Sequence, residues 1–246
     1  MGVHPIAAAG FGVSADAYER GRPGYPSAAI EWLARRVPLR AGMTVVDLAA
    51  GTGKLSRALV ATGARVIAIE PLEAMRRAIG PEVEALDGTA EAIPLPDTSA
   101  DAVTVGQAFH WFDGGAALAE IHRVLRPNSS LALLWNARRM EDPIHASIEQ
   151  LIEPHCEQVP RHGTGAWRQA FTRSALFGPL EEVHFEHEQL LDAEELEARI
   201  GSTSAIAALA AIERGAVLAR VRALAGTGRV TLRYRCEIHV TQRIGP

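Results

Sequence analysis

From residue 44 onward the chain alternates short apolar runs with helical stretches, and that alternation restricts its fold more than any other property. Residues 44–49 (TVVDLA), 65–70 (RVIAIE), 100–107 (ADAVTVGQ) and 131–136 (LALLWN) are apolar and carry β-branched residues. They lack the alternation of a half-wet strand, so each reads as a buried strand of a parallel sheet. Between them, residues 54–62 place Leu55 and Leu59 one turn apart and stop at Gly63. A second helix follows Pro71 through Ile79, and Asp113 caps a third running to Leu125. A short strand is expected near residues 83–86, and Pro127-Asn-Ser-Ser reads as a turn. Strands separated by helices of this length are βαβ units, which pack as a parallel sheet with helices on both faces. A ligand of such a sheet lies at the carboxyl ends of the strands, where the strand order switches.

The flanking regions are less regular. Residues 1–14 read as a loose arm, and Tyr18 to Pro26 as an irregular, turn-rich segment. Pro26-Ser27 then opens a helix with Ile30 and Leu33 on one face, stopped by Pro38. Residues 143–176 read as helix interrupted at Pro154, Pro160 and Gly163, residues 182–188 as a strand, and residues 193–200 as a short helix. Residues 204–224 read as one longer helix with Ile206, Leu209, Ile212, Leu218 and Val221 facing inward. In the last strand, Val230, Leu232, Tyr234, Cys236, Ile238 and Val240 alternate with Thr231, Arg233, Arg235, Glu237, His239 and Thr241. Period-two alternation predicts an antiparallel strand with one buried and one wetter face. The expected fold class is α/β: a doubly wound, Rossmann-like, mostly parallel seven-stranded sheet with an antiparallel last strand, as one domain over residues 1–246. Within it, residues 15–140 form the ligand-binding core, residues 141–228 a helical cover with a strand, and residues 229–243 the last strand.

Composition narrows the function classes. A net charge of −4 and the lack of a basic, aromatic-laced groove argue against nucleic acid and against a polybasic membrane patch. No run reaches the ~18 charge-free apolar residues of a membrane span, and the N-terminus does not read as a signal peptide. Cys156 and Cys236 make neither a disulfide framework nor a Cys-x-x-Cys pair, so a reduced, cytoplasmic setting fits. The histidines show no metal-ligand spacing, and His184 and His187 would face opposite sides of a strand; no metal site is expected.

The turn after the first strand reads Asp47-Leu-Ala49-Ala-Gly51-Thr-Gly53-Lys54. Small residues there let the backbone approach a ligand and leave N–H groups to bind it. A Walker loop fails, because Leu48 stands five before Gly53 and Leu55 follows Lys54. A dinucleotide fingerprint matches loosely, with Ser56 at its third glycine. An acid on the strand followed by small-x-Gly-x-Gly matches throughout.

This pattern resembles motif I of the class I S-adenosylmethionine-dependent methyltransferases. Glu70, 23 positions after Asp47, stands where that family holds both ribose hydroxyls with an acid. Gly88-Thr89-Ala90-Glu91 followed by Asp101-Ala-Val resembles the adenine-side loop and fourth strand, and Leu125-Arg-Pro127 the turn before the fifth. Tyr18-x-x-x-Arg22-Pro23-x-Tyr25-Pro26 and Gln107-Ala-Phe-His110-Trp111-Phe-Asp113 resemble the trans-aconitate-methyltransferase-like subgroup of the type 11 methyltransferase domain. Two positions depart from the pattern. Ala49 replaces a glycine, tolerable if its φ stays negative. Thr89 replaces an aspartate, leaving the adenine amino group to backbone groups or Glu91.

The resemblance implies S-adenosyl-L-methionine as cofactor, S-adenosyl-L-homocysteine as product and a small-molecule acceptor. Its implied cofactor contacts are Tyr18, Arg22, Asp47, Ala49, Gly51, Gly53, Glu70, Pro71, Thr89, Ala90, Glu91 and Gln107. Asp47 would line the cofactor site directly or hold the glycine turn, and Arg22 suits the methionine carboxylate. His110 is the candidate catalytic residue: a base near its ordinary pKa for a hydroxyl or amine acceptor, or an anchor for a carboxylate, which needs no base. Trp135 reads as a core aromatic or a wall of the acceptor pocket, roofed by the second-half helices near Trp167 and residues 201–204. A non-catalytic cofactor-binding protein on the same scaffold and a nicotinamide-dependent oxidoreductase remain as alternatives.

Overall fold

Seven strands form one sheet in the order β3-β2-β1-β4-β5-β7-β6. They are β1 (Thr44–Leu48), β2 (Arg65–Ile69), β3 (Glu84–Leu86), β4 (Ala100–Gly106), β5 (Leu125–Arg138), β6 (Glu181–Leu191) and β7 (Val230–Gln242). The computed structural model describes residues 15–37, 39–156 and 159–245; the arm expected at residues 1–14 and the stop at Pro38 lie outside them. β1 pairs in parallel with β2 and β4, β2 with β3, and β4 with β5. β7 runs antiparallel to both neighbours, β5 and β6. The chain starts in the middle of the sheet, winds outward to β3, then returns to β4, so the switch lies between β1 and β4.

Continuous apolar strands are explained by two buried layers. Val46, Leu48, Ile67, Ile69, Val103 and Val105 pack on one side with Leu118 and Ile121 of α5 (Gly114–Val124). Val45, Val66 and Ala68 pack on the other side with Leu33 of α2 (Ser27–Arg36) and Leu55 and Leu59 of α3 (Lys54–Val60). Asp113 caps α5 as expected, its side chain accepting the Ala116 N–H at 3.2 Å. The cover begins with α6 (Pro143–Ile152) and α7 (Arg168–Thr172), and a third cluster lies in it, formed by α6, α8 (Ala193–Gly201), α9 (Ser204–Ala207), α10 (Ala211–Ala223) and the start of β7.

Five expectations are corrected. Tyr18 lies in a helix, α1 (Ala15–Gly21), rather than an irregular segment. The helix after Pro71 is only α4 (Glu73–Arg76), continued by turns to Ile79. The helix at 204–224 is broken at 208–210 into α9 and α10. The break resets the helical phase: α10 buries Val217 and Val221, and Ile212 is 90% exposed. His239 is fully buried rather than on a wetter face, because aromatic side chains cover this end of β7. The Pro127 turn is a bulge inside β5, where the register passes from Ala100↔Leu125 to Ala102↔Ser130.

Candidate active site

The β1 turn has three left-handed residues: Ala49 (φ 52°), Gly51 (φ 60°) and Gly53 (φ 82°). Ala49 therefore does not keep the negative φ that would make alanine comfortable, and its Cβ costs on the order of 1 kcal/mol in this conformation. Gln107, just past β4, is the other positive-φ residue of the crevice, at φ 64°. The two strained residues end the strands on either side of the switch point.

Asp47 sits beneath the turn, fully buried, accepting from Ser56 Oγ at 2.6 Å and Thr104 Oγ1 at 3.1 Å. Its carboxylate ties β1 to α3 and β4 and borders a small groove beside the main crevice. Burial pushes its pKa up to about 7 despite those two hydroxyls. Gly53 does not face the crevice. It opens α3, and a Cβ there would meet Arg57 and Ile79 at 3.3–3.4 Å.

Glu70 ends β2 and points into the crevice. Its Oε2 accepts the Gly51 N–H at 2.8 Å and its Oε1 the Leu72 N–H at 2.9 Å. It is 5% exposed, and burial raises its pKa above the ordinary range. Ala49, Gly51 and Pro71 line the same crevice, as do Thr89, Ala90 and Glu91 from the loop after β3. The Thr89 hydroxyl is buried with no hydrogen-bond partner among the described residues. Glu91 accepts the Asp113 N–H at 3.0 Å. Tyr18 lies over the turn, its ring 3.8 Å from where a Cβ on Gly51 would stand. Leu72, Met75, Trp111 and Phe112 complete the walls.

Arg22 lies off this crevice. Its Nε and Nη2 donate to Ser202 Oγ (3.1 Å) and Ser202 O (2.7 Å), and its guanidinium stacks on Tyr18 at 5.1 Å. It borders the small groove beside Asp47 and, with Arg199, a chamber of about 580 Å³ that shares Tyr18, Gln107 and Trp111 with the crevice. Burial, then the Arg199 charge, lowers the Arg22 pKa to about 10. Arg199 is 5% exposed; its Nε donates to Tyr234 Oη at 3.1 Å, and its Nη1 is buried without a partner. Among the described residues neither arginine has a carboxylate partner, whereas Arg138 and Arg161, also on the chamber wall, share Glu149.

His110 faces the chamber from the 3-10 turn Phe109–Trp111. Burial, helped by the nearby His162 and Arg22, pushes its pKa down to about 3. That corrects the expectation of an ordinary histidine there. Trp135 is both things the sequence allowed, a core side chain 2% exposed and a chamber wall. Thr203 and Ser204 line the chamber; Trp167 packs behind Trp135 instead, with ring centroids 4.7 Å apart.

Residues 46–133 match the methyltransferase domain family. An uncharacterized methyltransferase-like protein of Schizosaccharomyces pombe is 33% identical over 215 residues, 85% of this chain and 83% of the relative. The chain belongs to the methyltransferase family. An uncharacterized methyltransferase of Mycobacterium tuberculosis is 51% identical over 131 residues, 52% of each chain, so the match spans about half the length of that relative. A solved structure from Anaeromyxobacter dehalogenans, provisionally assigned as a type II methyltransferase, superposes with a TM-score of 0.68 at 28% identity, over 92% of this chain and 99% of that one.

In this methyltransferase fold, sequence reasoning missed Met75, Phe112 and Arg199. Met75 and Phe112 carry no signal beyond being apolar near a strand end. Arg199 does carry one: it shares a helix face with Leu196 and Ile200, a charged residue where the period calls for an apolar one. No helix among the described residues is long and apolar enough to cross a membrane.

Proposed function

We propose that the chain moves the sulfonium methyl of S-adenosyl-L-methionine by in-line displacement to a small anionic acceptor, with O- or carboxylate-methylation favoured and S-adenosyl-L-homocysteine as product. The observation that carries this reading is the spare polar capacity of one crevice. Each Glu70 oxygen takes one backbone N–H and keeps a lone pair, which suits a vicinal diol. The Thr89 hydroxyl is buried and unmatched, a condition that costs about 1–3 kcal/mol until a partner arrives. A ribose and a nucleobase edge are the complements of these two groups, so the residues fit an adenosyl ligand. Ala90, Glu91, Pro71 and Leu72 supply the adenine surroundings, and the backbone at Ala49 and Gly51 the close approach. When bound, the cofactor supplies an electrophilic methyl on a cationic sulfur.

The chain's own part is alignment and exclusion of water. Tyr18, Gln107 and Trp111 border both crevice and chamber, which supports a transfer at their junction. The anionic acceptor is inferred from Arg199: a buried guanidinium with an orphaned Nη1 and, among the described residues, no acid beside it is the complement of a carboxylate. This agrees with the resemblance to trans-aconitate-methyltransferase-like enzymes. Arg22 stands where it reaches either the acceptor or the cofactor's carboxylate, and His110 serves as an anchor. Two buried free cysteines suit a cytoplasmic setting.

Calorimetry with S-adenosyl-L-homocysteine and with NAD(P)H tests the cofactor. Glu70→Ala is expected to weaken the adenosyl ligand by roughly 1.5–3 kcal/mol through loss of charge-assisted bonds; unchanged affinity, or binding of NAD(P)H instead, overturns the reading. Turnover on a panel of carboxylates and their neutral esters tests the acceptor. Arg199→Gln is expected to raise KM for the acids alone.

A further inference from the structure

At the chamber wall lies a group of donors that methyl transfer does not use. His162, Glu237 and His239 each offer one ligand atom, all within 4.8 Å of one another. Glu237 and His239 are two residues apart on β7 and so share a face. His162 reaches that face from the 3-10 turn His162–Thr164. The Glu237 Oε2 is 3.2 Å from His162 Nε2 and 3.9 Å from His239 Nε2. Tetrahedral bonds of about 2.0–2.1 Å set ligand atoms about 3.3–3.4 Å apart. The two separations bracket that value and the third is within 4.8 Å, so an ion is held after local side-chain adjustment.

His239 is the second observation. It is fully buried, and neither ring nitrogen has a hydrogen-bond partner among the described residues. Leaving both unmatched is costly, and buried polar groups in folded proteins are rarely left so. On its far side stands Glu182, the cross-strand neighbour on β6, 3.4 Å from Nδ1 and itself held by Arg168 at 2.8 Å. Glu182 makes no hydrogen bond to Nδ1 in this geometry, but a small turn of the ring brings it to the place from which a carboxylate orients a metal-ligating histidine.

We propose that His162, Glu237 and His239 form a binding site for a divalent transition ion of the Zn2+ type, with water completing the coordination. Two imidazoles and one carboxylate suit zinc rather than magnesium or calcium, which take oxygen donors. None of the three donors lines the crevice, and the Trp135 ring stacks on His162 at 4.3 Å while making its hydrogen bond to His110. His162 also walls the acceptor chamber, so an ion here pins that wall to β7. Sequence spacing hid the set, because its members lie on a loop and a strand 75 residues apart.

The test is a titration of the metal-stripped full chain with ZnCl2 by calorimetry, with the visible spectrum of a Co2+ titration as the coordination readout, in the absence of cofactor and acceptor. One equivalent is expected, with tetrahedral cobalt absorption and a zinc-dependent rise in Tm; Mg2+ is expected to do nothing. His162 and Glu237 are each 19% exposed at the side chain, so His162→Ala and Glu237→Gln are mild changes for folding. Each is expected to weaken zinc by about tenfold or more and abolish the Tm rise. Absence of one-to-one binding, or undiminished affinity in both variants, overturns the proposal. Because no adenosyl ligand is present, the outcome is separate from that of the methyl-transfer reading.

Discussion

The indole N–H of Trp135 donates to Nδ1 of His110 across 3.3 Å, and that contact decides which nitrogen of the histidine faces the chemistry. An indole nitrogen only donates, so Nδ1 is the bare nitrogen and the proton of the neutral ring sits on Nε2. With a pKa near 3, His110 stays neutral throughout the physiological range. It offers the chamber an N–H donor and no ready base. The pH profile of kcat should therefore have the same shape in the wild type and in His110→Asn, with the change appearing in KM for the acceptor. A limb near 6.5 that vanishes in the variant would show instead that His110 takes a proton during turnover.

Thr89 allows a test in which stability and affinity move in opposite directions. Its hydroxyl is buried and unmatched among the described residues, so Thr89→Val removes an orphaned group at nearly constant shape. Urea unfolding of the ligand-free variant should show a gain of about 1 kcal/mol. Calorimetry should show the adenosyl ligand weakened by about 0.5–1.5 kcal/mol, the worth of one hydrogen bond. A variant that gains stability and binds as before would place the adenine edge away from Thr89.

Asp47 and His145 set opposing pH dependences of stability. The folded pKa of Asp47 is raised to about 7 from 3.8. Its favourable contribution is therefore full below 3.8 and is lost as pH rises through 7. His145 is depressed by burial to about 4 from 6.5, its Nε2 bonded to the Arg233 carbonyl at 2.8 Å. Its contribution is full above 6.5 and is lost as pH falls through 4. Asp47→Asn mimics the protonated acid. Relative to the wild type it should gain about 1–3 kcal/mol between about pH 5 and 8, at roughly 1.4 kcal/mol per unit over the titrating range. His145→Gln should flatten the acid limb. Urea midpoints across pH check both, and a constant Asp47→Asn difference would mean that the carboxylate is ionised in the fold.

Local physics explains what the sequence revealed. β1, its glycine turn, α3 and β2 are read from short-range patterns, and once their lengths are right Glu70 must arrive beside Gly51. The antiparallel β7 follows from period two. Three features were not legible, two of them because they depend on partners far along the chain. Arg199 meets Arg22 only because α8 packs on α1, and His162 meets His239 only through the loop folded over β7. Ile212 reads as buried until the break at 208–210 shifts the helical phase. The left-handed Ala49 is a fourth case: the glycine pattern marks the position, but an alanine there reveals its strain only in the backbone angle.

The packing of α1 on α8 rests on Gly21. A Cβ there would stand 2.6 Å from Ala198 C and Arg199 N, which are helix backbone atoms with no side-chain freedom to yield. α1 is also tied to the glycine turn, because Glu19 accepts from Thr52 Oγ1 and pairs with Lys54 and Arg57. It therefore bridges the crevice to the cover of the chamber, with Tyr18 and Arg22 at the junction. Gly21→Ala must separate the two helices, and overpacking of this kind costs about 1–3 kcal/mol. The displacement moves Arg22 relative to Ser202 and Arg199, so KM for an anionic acceptor should rise while calorimetric affinity for the adenosyl ligand changes less. If both affinities fall equally, Glu19 has carried the glycine turn along with α1. If neither changes, the contact at Gly21 has no part in holding the acceptor site together.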